Sequence, residues 1–259
     1  MTGLLATAAL AAALAAGAQA AERMHVKLAT EGAYPPFNFI DADGKPQGFD
    51  VDIGNALCEA ANLDCEWVIQ DWDGMIPGLL AKKFDAVIAS MSITDERKQK
   101  VDFTNKYYNT PARFVAKEGA TFDFSPGGLK GKAIGVQRAT IHENFLRDNF
   151  PDADIRVYAT QDEANADMAA GRLDLLLADS VALDEGFLKT DQGKGFAFVG
   201  PAYTDKKWFG EGAGIAVRKG EDTLRETLNA AIKKIRQDGT YQKIQEKYFT
   251  YDVYGAESM

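Results

Sequence analysis

Two stretches, LLAKKFDAVIAS at residues 79–90 and MAAGRLDLLLAD at residues 168–179, decide the fold that this sequence predicts. Each contains the end of a helix, a basic residue, an aspartate, a continuous apolar run and a polar residue at the tip. A short apolar run of this kind is typical of a strand in a parallel sheet whose two faces are covered. The repeated design therefore predicts two α/β units of related plan.

The sequence around both stretches supplies the other elements of such units. The alternation of apolar periods and turn residues predicts strands, helices and a hairpin turn. In the first unit we expect strands at 26–30, 65–70 and 84–90, helices at 50–61 and 76–83, and a hairpin turn at 41–44. In the second unit we expect strands at 132–137, 155–159 and 173–179, and helices at 141–149 and 161–170.

The C-terminal part returns to the first unit in this prediction. A strand at 214–220 and two helices within 222–249 need a surface on which to pack, and the first unit offers one. The chain would then cross between the units twice, around 109–112 and again around 204–211. Two crossings of this kind predict a two-segment hinge.

Polar residues end several of the predicted strands. Glu31, Ser90 and Asp179 each follow a buried strand, and Ser92 is expected on the same side as Ser90 because side chains alternate along a strand. In open α/β sheets, ligand groups collect at the carboxyl ends of the strands. We therefore expect these residues to form a binding site.

The N-terminal segment predicts export. Residues 1–20, MTGLLATAALAAALAAGAQA, are apolar, uncharged and end in an A-x-A pattern, which is typical of a secretory signal peptide. The basic residue that usually opens such a signal is absent, so a translation start upstream of Met1 is an open alternative. In an oxidising compartment Cys58 and Cys65 are expected to form one local disulfide, with two buried thiols as the alternative.

Composition and missing motifs exclude several function classes. A formal net charge of -9 without a Lys/Arg stripe argues against nucleic acid and anionic membranes as partners. The chain has two histidines and contains no G-x-S-x-G, H-E-x-x-H or P-loop motif, so we expect no metal, no cofactor and no enzyme activity. Carboxylates could still act as acid and base, which leaves an enzyme open as an alternative.

Several long motifs in one order resemble the periplasmic solute-binding proteins for polar amino acids, and most closely the lysine/arginine/ornithine, histidine and opine branch. These motifs are ATEGAYPPFNF (29–39), GFDVDIGNALCEAANLDCEW (48–67), DAVIASMSITDERKQKVDFTNKYY (85–108), GKAIGVQRAT (131–140), AGRLDLLLAD (170–179) and RQDGTYQKIQEKYF (236–249).

The resemblance implies the two-lobed α/β fold of type II periplasmic binding proteins, in which each lobe has a central, mostly parallel sheet flanked by helices. It implies a monomeric receptor that delivers an amino acid to the membrane permease subunits of an ABC importer. The remote alternative that the resemblance leaves is a periplasmic dehydratase on the same fold. We accordingly expect one lobe from 21–109 and 211–259, the other from 112–205, and hinges near 109–112 and 204–211.

The resemblance also assigns the groups that bind the amino-acid head. Arg97, in S-x-S-I-T-x-x-R, is expected to grip the ligand carboxylate, because a guanidinium contacts both carboxylate oxygens at once. Asp179 is expected to bind the α-ammonium, although an aspartate there also fits a helix N-cap. Ser90, Met91 and Ser92 are expected to contact the ligand, with turn hydrogen bonding as the alternative.

A second group lies at the start of the helix at 141–149. Thr140 stands where N–H groups and the helix dipole favour a carboxylate. Ile141 departs from the hydroxyl-rich pattern of similar proteins and can offer only its backbone N–H. His142 is expected either near the ligand side chain or as a helix cap on a wet surface, and the sequence does not choose between these.

The choice of ligand depends on Glu31, Tyr34 and Trp72, whose positions flank the ligand side chain in similar proteins. A carboxylate with two aromatic faces suits a cationic side chain. Alternatively, Trp72 packs in the core, Glu31 is a solvent-exposed charge in a loop, and Tyr34 only lines the site without recognising the ligand. Arginine, ornithine and lysine fit best, with histidine or opines such as octopine and nopaline as alternatives.

Overall fold

The structure, a computed structural model, describes residues 23–255, so the predicted signal peptide at 1–20 lies outside the described residues. Thirteen strands are formed within that range, and they are numbered here in chain order. They are β1 (His25–Thr30), β2 (Ala33–Tyr34), β3 (Asn38–Ile40), β4 (Pro46–Gln47), β5 (Asp64–Ile69), β6 (Ala86–Val87), β7 (Val101–Tyr108), β8 (Ala112–Lys117), β9 (Ala133–Gln137), β10 (Asp154–Tyr158), β11 (Leu175–Asp179), β12 (Phe196–Tyr203) and β13 (Ala213–Arg218).

The helices lie between these strands and at the C-terminal end of the described range. They are α1 (Phe49–Ala60), α2 (Met75–Leu80), α3 (Asp95–Lys98), α4 (Ile141–Asn149), α5 (Gln161–Ala169), α6 (Ser180–Leu183), α7 (Lys206–Phe209), α8 (Asp222–Gln237) and α9 (Thr240–Gln245). Short 3-10 turns cover Trp72–Gly74 and Asp191–Gly193, and a π turn covers Asp184–Leu188.

Two five-stranded sheets have the same plan, as the repeated sequence design predicted. Their strand orders are β5-β1-β6-β13-β7 and β10-β9-β11-β8-β12. In each sheet one strand, β13 or β8, runs antiparallel to its neighbours, and the others share one direction. The prediction of two lobes with mostly parallel sheets is confirmed. A third, small sheet contains the hairpin of β3 and β4.

The two antiparallel strands are those that enter from the other lobe. The chain leaves the first sheet at Tyr108 and enters the second at Ala112, and it leaves the second at Tyr203 and returns at Ala213. The short helix α7 interrupts the return and packs with its Trp208 and Phe209 against the second lobe. Leu228 and Ile235 of α8 are buried in the core of the first lobe.

Aromatic rings occupy much of the first lobe's core. Phe37 stacks on Tyr108 at 4.5 Å between ring centroids, and Phe49 meets Phe249 at 5.1 Å. The predicted disulfide is present between Cys58 and Cys65, where it joins the end of α1 to β5. Within residues 23–255, no helix has the length and apolar character needed to span a membrane.

Strand β6 is shorter than predicted. It spans two residues, whereas the apolar run led us to expect a strand up to Ser90. Ser90 has a φ of 54°, which is outside the extended region, so the backbone turns before Ser92. The alternation by which we placed Ser90 and Ser92 on one side therefore does not apply.

Candidate functional site

A cavity lies where the two lobes meet. Its walls include ten of the predicted ligand residues: Glu31, Tyr34, Trp72, Ser90, Ser92, Arg97, Thr140, Ile141, His142 and Asp179. Met91 does not line it, because its side chain is buried in the core with Met75 and Leu79.

Arg97 contributes a buried positive charge to this cavity. Thr94 caps α3 by accepting a hydrogen bond from the backbone N–H of Arg97. The guanidinium donates to the carbonyl of Ser92 at 3.0 Å and lies 5.2 Å from the centroid of the Trp72 ring. Burial lowers its pKa to about 10, so it stays protonated at neutral pH. Among the described residues, no carboxylate forms an ion pair with Arg97.

Asp179 contributes a buried carboxylate from the other lobe. One oxygen accepts hydrogen bonds from the backbone N–H groups of Val181 and Ala182, at 2.8 and 3.4 Å. The other accepts from the hydroxyl of Thr110. Asp179 is thus the N-cap of α6 and also a wall of the cavity. Burial raises its pKa to about 6, because no cation of the described residues pairs with it.

Glu31 supplies a second carboxylate. It is 8 % exposed, and it accepts a 2.6 Å hydrogen bond from the side-chain amide of Gln137 across the cleft. Burial raises its pKa to about 7, and repulsion by Asp162, Asp71 and Asp73 adds to the rise. The alternative of a solvated loop charge is wrong, since the side chain is buried.

Tyr34 and Trp72 form hydrogen bonds between the two lobes in addition to presenting their ring faces to the cavity. The hydroxyl of Tyr34 accepts from the backbone N–H of Asp179 at 3.2 Å, and the indole N–H of Trp72 donates to the carbonyl of Ala139 at 3.1 Å. The ring of Trp72 also contacts the guanidinium of Arg97. Core packing is therefore not the whole role of Trp72.

Thr140 and His142 have different surroundings at the start of α4. The Thr140 hydroxyl caps the helix by accepting from the N–H of Glu143, and it donates to the carbonyl of Gln137 at 2.8 Å. His142 is buried, with its ring 6.0 Å from that of Phe209. Burial, together with the nearby charge of Arg97, lowers the His142 pKa to about 3. His142 is therefore a neutral cavity residue and not a cap on a wet surface.

Ser90 is held by a buried network beneath the cavity. Its hydroxyl donates to Asp50 at 2.9 Å, and Asp50 also accepts from Tyr107 at 2.7 Å and Asn38 at 2.9 Å. Burial raises the pKa of Asp50 to about 6. Unlike the cavity carboxylates, Asp50 receives three side-chain hydrogen bonds, so its role is to fix the loop that carries Ser90.

Sequence reasoning missed part of the cavity wall. Asn109, Thr110 and Ala112 come from the first predicted hinge segment and Phe209 from the second, while Tyr108, Gly212 and Ala213 flank these segments. The predicted hinge segments contained a signal for the first four residues, because a segment that crosses between two lobes borders the cleft between them. Gln137 ends a predicted strand, so the rule that selected Glu31 and Asp179 also pointed to it.

This fold and this site define a two-lobed binding protein whose interlobe cavity presents one guanidinium and two carboxylates. Its fold is that of the type II periplasmic binding proteins. The chain belongs to the bacterial extracellular solute-binding proteins of family 3, to which residues 26–251 match.

Characterised relatives cover nearly the whole chain. An L-arginine-binding protein of Pseudomonas aeruginosa is 56 % identical over 89 % of this chain and 90 % of its own length. A lysine/arginine/ornithine-binding periplasmic protein of Escherichia coli is 43 % identical over 93 % of this chain and 94 % of its own. A solved periplasmic binding protein of Salmonella typhimurium, described as having high arginine specificity, superposes with a TM-score of 0.81 at 36 % identity, covering 88 % of this chain and all of that one.

Proposed function

We propose that this protein is the substrate-binding component of an amino-acid ABC importer and that it captures a cationic amino acid of the arginine, ornithine and lysine class. The observation that carries the proposal is that Arg97, Glu31 and Asp179 line one cavity while none of them forms an ion pair with another described residue. Leaving a buried charge unpaired costs several kcal/mol, so a ligand that pairs all three has a large free-energy advantage.

The charges of a cationic amino acid match these three groups. Its α-carboxylate suits the fork of Arg97, its α-ammonium suits Asp179, and its side-chain cation suits Glu31. A neutral amino acid would leave the buried carboxylate of Glu31 without a counter-charge. Asp71, Asp73 and Asp162 add negative potential at the same end of the cavity. Tyr34 and Trp72 are proposed to flank the ligand, with further contacts from Ser90, Ser92, Thr140, Ile141 and His142. Met91 is not included, because it does not line the cavity.

The lobes are proposed to close around the ligand by rotation at the two crossings, 109–112 and 204–211. The lobes would then be residues 21–109 with 211–259, and residues 112–205. Side-chain contacts across the cleft support a closed arrangement: Arg138 meets Asp73 at 2.6 Å, and Asn144 donates to Glu96 at 3.2 Å. Closure excludes water and strengthens each ligand ion pair. Small-angle scattering should show compaction on addition of arginine; an unchanged radius of gyration would contradict the hinge.

The relatives described as periplasmic support the same compartment for this chain. We propose that residues 1–20 direct export and are removed, and that the Cys58–Cys65 disulfide forms in the periplasm. The closed monomer would be recognised by the permease subunits of the importer. Nucleic acid is not a proposed partner, given the net charge of -9.

We propose binding without catalysis. The relatives reported above are binding proteins, and the sequence motifs of common nucleophiles and metal sites are absent. No group of three or more potential metal ligands occurs within residues 23–255. A dehydratase on the same fold is the competing function, and product formation would reveal it.

A thermal-shift screen of the mature protein tests the proposal. The panel is the twenty amino acids together with ornithine, octopine and nopaline, each sample being checked for products afterwards. Ligand at about 100 times its dissociation constant stabilises the protein by about 2.7 kcal/mol, so binders give a clear rise in melting temperature. We expect rises for arginine, ornithine or lysine and unchanged ligands afterwards. A response to octopine or nopaline alone would transfer the assignment to opines, and a response to neutral amino acids alone would refute it.

A further inference from the structure

We propose that Gln137 is a specificity residue that favours a guanidinium over an ammonium at the Glu31 end of the cavity. This inference rests on the proposed function, because it concerns which cationic amino acid the cavity prefers. Gln137 is the last residue of β9, is 3 % exposed and lines the cavity opposite Glu31.

The orientation of the Gln137 amide follows from its two contacts. Its nitrogen lies 2.6 Å from a carboxylate oxygen of Glu31 and 3.2 Å from the carbonyl oxygen of Ala159. Both of these atoms are acceptors, so the donating nitrogen must face them and the amide cannot be reversed. Both N–H bonds of the amide are therefore used within the protein.

Two acceptors then remain for the ligand. One is the amide oxygen of Gln137. The other is the Glu31 oxygen Oε2, which accepts no hydrogen bond from another described residue. The acceptors come from different lobes, so a ligand group that contacts both would bridge the closed cleft.

A guanidinium fits two separate acceptors better than an ammonium does. Its N–H groups point outwards in one plane and can donate to two residues at once, and it is less strongly hydrated than an ammonium. The Glu31 oxygen Oε1 already accepts from Gln137, which weakens its attraction for the compact charge of an ammonium. A guanidinium gains the amide oxygen as an additional acceptor, so arginine should bind more tightly than lysine.

The competing explanation is that Gln137 only holds Glu31 in place. That role predicts an equal loss of affinity for arginine and lysine when Gln137 is changed. The proposed role predicts a change in the ratio of the two affinities. The ratio therefore separates a specificity residue from a structural one.

The test is isothermal titration calorimetry of the wild-type protein, Gln137→Met and Gln137→Leu with arginine and lysine. Methionine keeps the length of the side chain but removes its polar atoms. Leucine removes the same polar atoms with a different shape, so Gln137→Leu replaces Gln137→Met in the test if methionine disturbs folding. Thermal unfolding of each variant verifies that it is folded. Gln245→Met is the matched control, because Gln245 is a buried glutamine whose side chain accepts from Val253, outside the cavity.

We expect the wild-type protein to prefer arginine and the preference to fall about tenfold in both Gln137 variants, which is the effect of about one hydrogen bond. The Gln245→Met ratio should equal that of the wild type. A wild-type preference for lysine, or an arginine-to-lysine ratio that Gln137→Met and Gln137→Leu leave unchanged, would overturn the inference while the proposed function stands. Failure of the wild type to bind either cation would instead refute the proposed function itself.

Discussion

Replacing Glu31 by Gln should stabilise the closed form of the ligand-free protein and at the same time weaken arginine binding. The pKa of Glu31 rises from 4.5 to about 7 because the carboxyl is buried, and Gln137 of the other lobe covers it only when the cleft is closed. Ionisation of Glu31 therefore opposes closure, and the cost begins near pH 4.5, grows as the pH rises and is complete above about pH 7. The rise from 4.5 to about 7 corresponds to about 3 kcal/mol against the closed form at pH 8.

Glutamine keeps the shape of the side chain and its hydrogen bond to Gln137 but cannot ionise. Small-angle scattering of the ligand-free proteins should therefore find Glu31→Gln more compact than the wild type at pH 8, with nearly equal radii of gyration at pH 4.5. Calorimetry should find arginine binding about 10- to 100-fold weaker, since a charge-assisted hydrogen bond contributes about 1.5–3 kcal/mol. Binding of neutral amino acids, measured alongside, should not weaken.

An exposed glutamate gives the matched control. Glu59 lies on the outer part of α1, so Glu59→Gln should change neither the compaction of the ligand-free protein nor its affinity for arginine. If Glu31→Gln is no more compact than the wild type at pH 8, or binds arginine with unchanged affinity, then Glu31 is not the unpaired cavity charge that we infer.

Three further perturbations test other parts of the site. Arg97→Ala should abolish discrimination between arginine and agmatine, which lacks the carboxylate; calorimetry that still finds arginine much tighter would contradict the role of Arg97. Arginine affinity should fall about 1,000-fold between pH 8 and pH 5, because the pKa values of Glu31 and Asp179, about 7 and about 6, leave both groups ionised in about one molecule in a thousand at pH 5. A pH-independent affinity would exclude both carboxylates, and in Glu31→Gln about tenfold of the fall should remain. Changing Cys58 and Cys65 to Ser should cost about 2.5 kcal/mol of stability by urea unfolding and leave arginine affinity unchanged, since the disulfide lies outside the cavity; a loss of affinity in the folded variant would link the disulfide to the site.

Much of the fold follows from patterns that are local in the sequence. The repeated apolar runs ending at Ser90 and Asp179 define strands of two similar sheets, and the spacing in 222–249 defines the helices that return to the first lobe. The extent of β6 was not predictable, because the left-handed conformation of Ser90 depends on the hydrogen bonds of its side chain and backbone to Asp50 and Tyr107. Such contacts join residues far apart in the sequence.

The site was predictable where motif and chemistry agreed. Arg97, Asp179 and Glu31 line one cavity as the resemblance implied, but the partnership of Glu31 with Gln137 joins two lobes and leaves no local signal. Burial explains the two remaining differences. Met91 faces the core, and His142 is a neutral buried residue. Neither outcome can be derived from the residues that are adjacent in the sequence.

The cavity is proposed to select its ligand by pairing three buried charges. Competition calorimetry between arginine and citrulline tests it most directly, because citrulline has the same head group and nearly the same shape but a neutral urea in place of the guanidinium. At pH 7.5 to 8 we predict that arginine binds at least about 100-fold more tightly than citrulline, as expected when a buried charge is left without its partner. Equal affinities would show that the buried charges do not select the ligand.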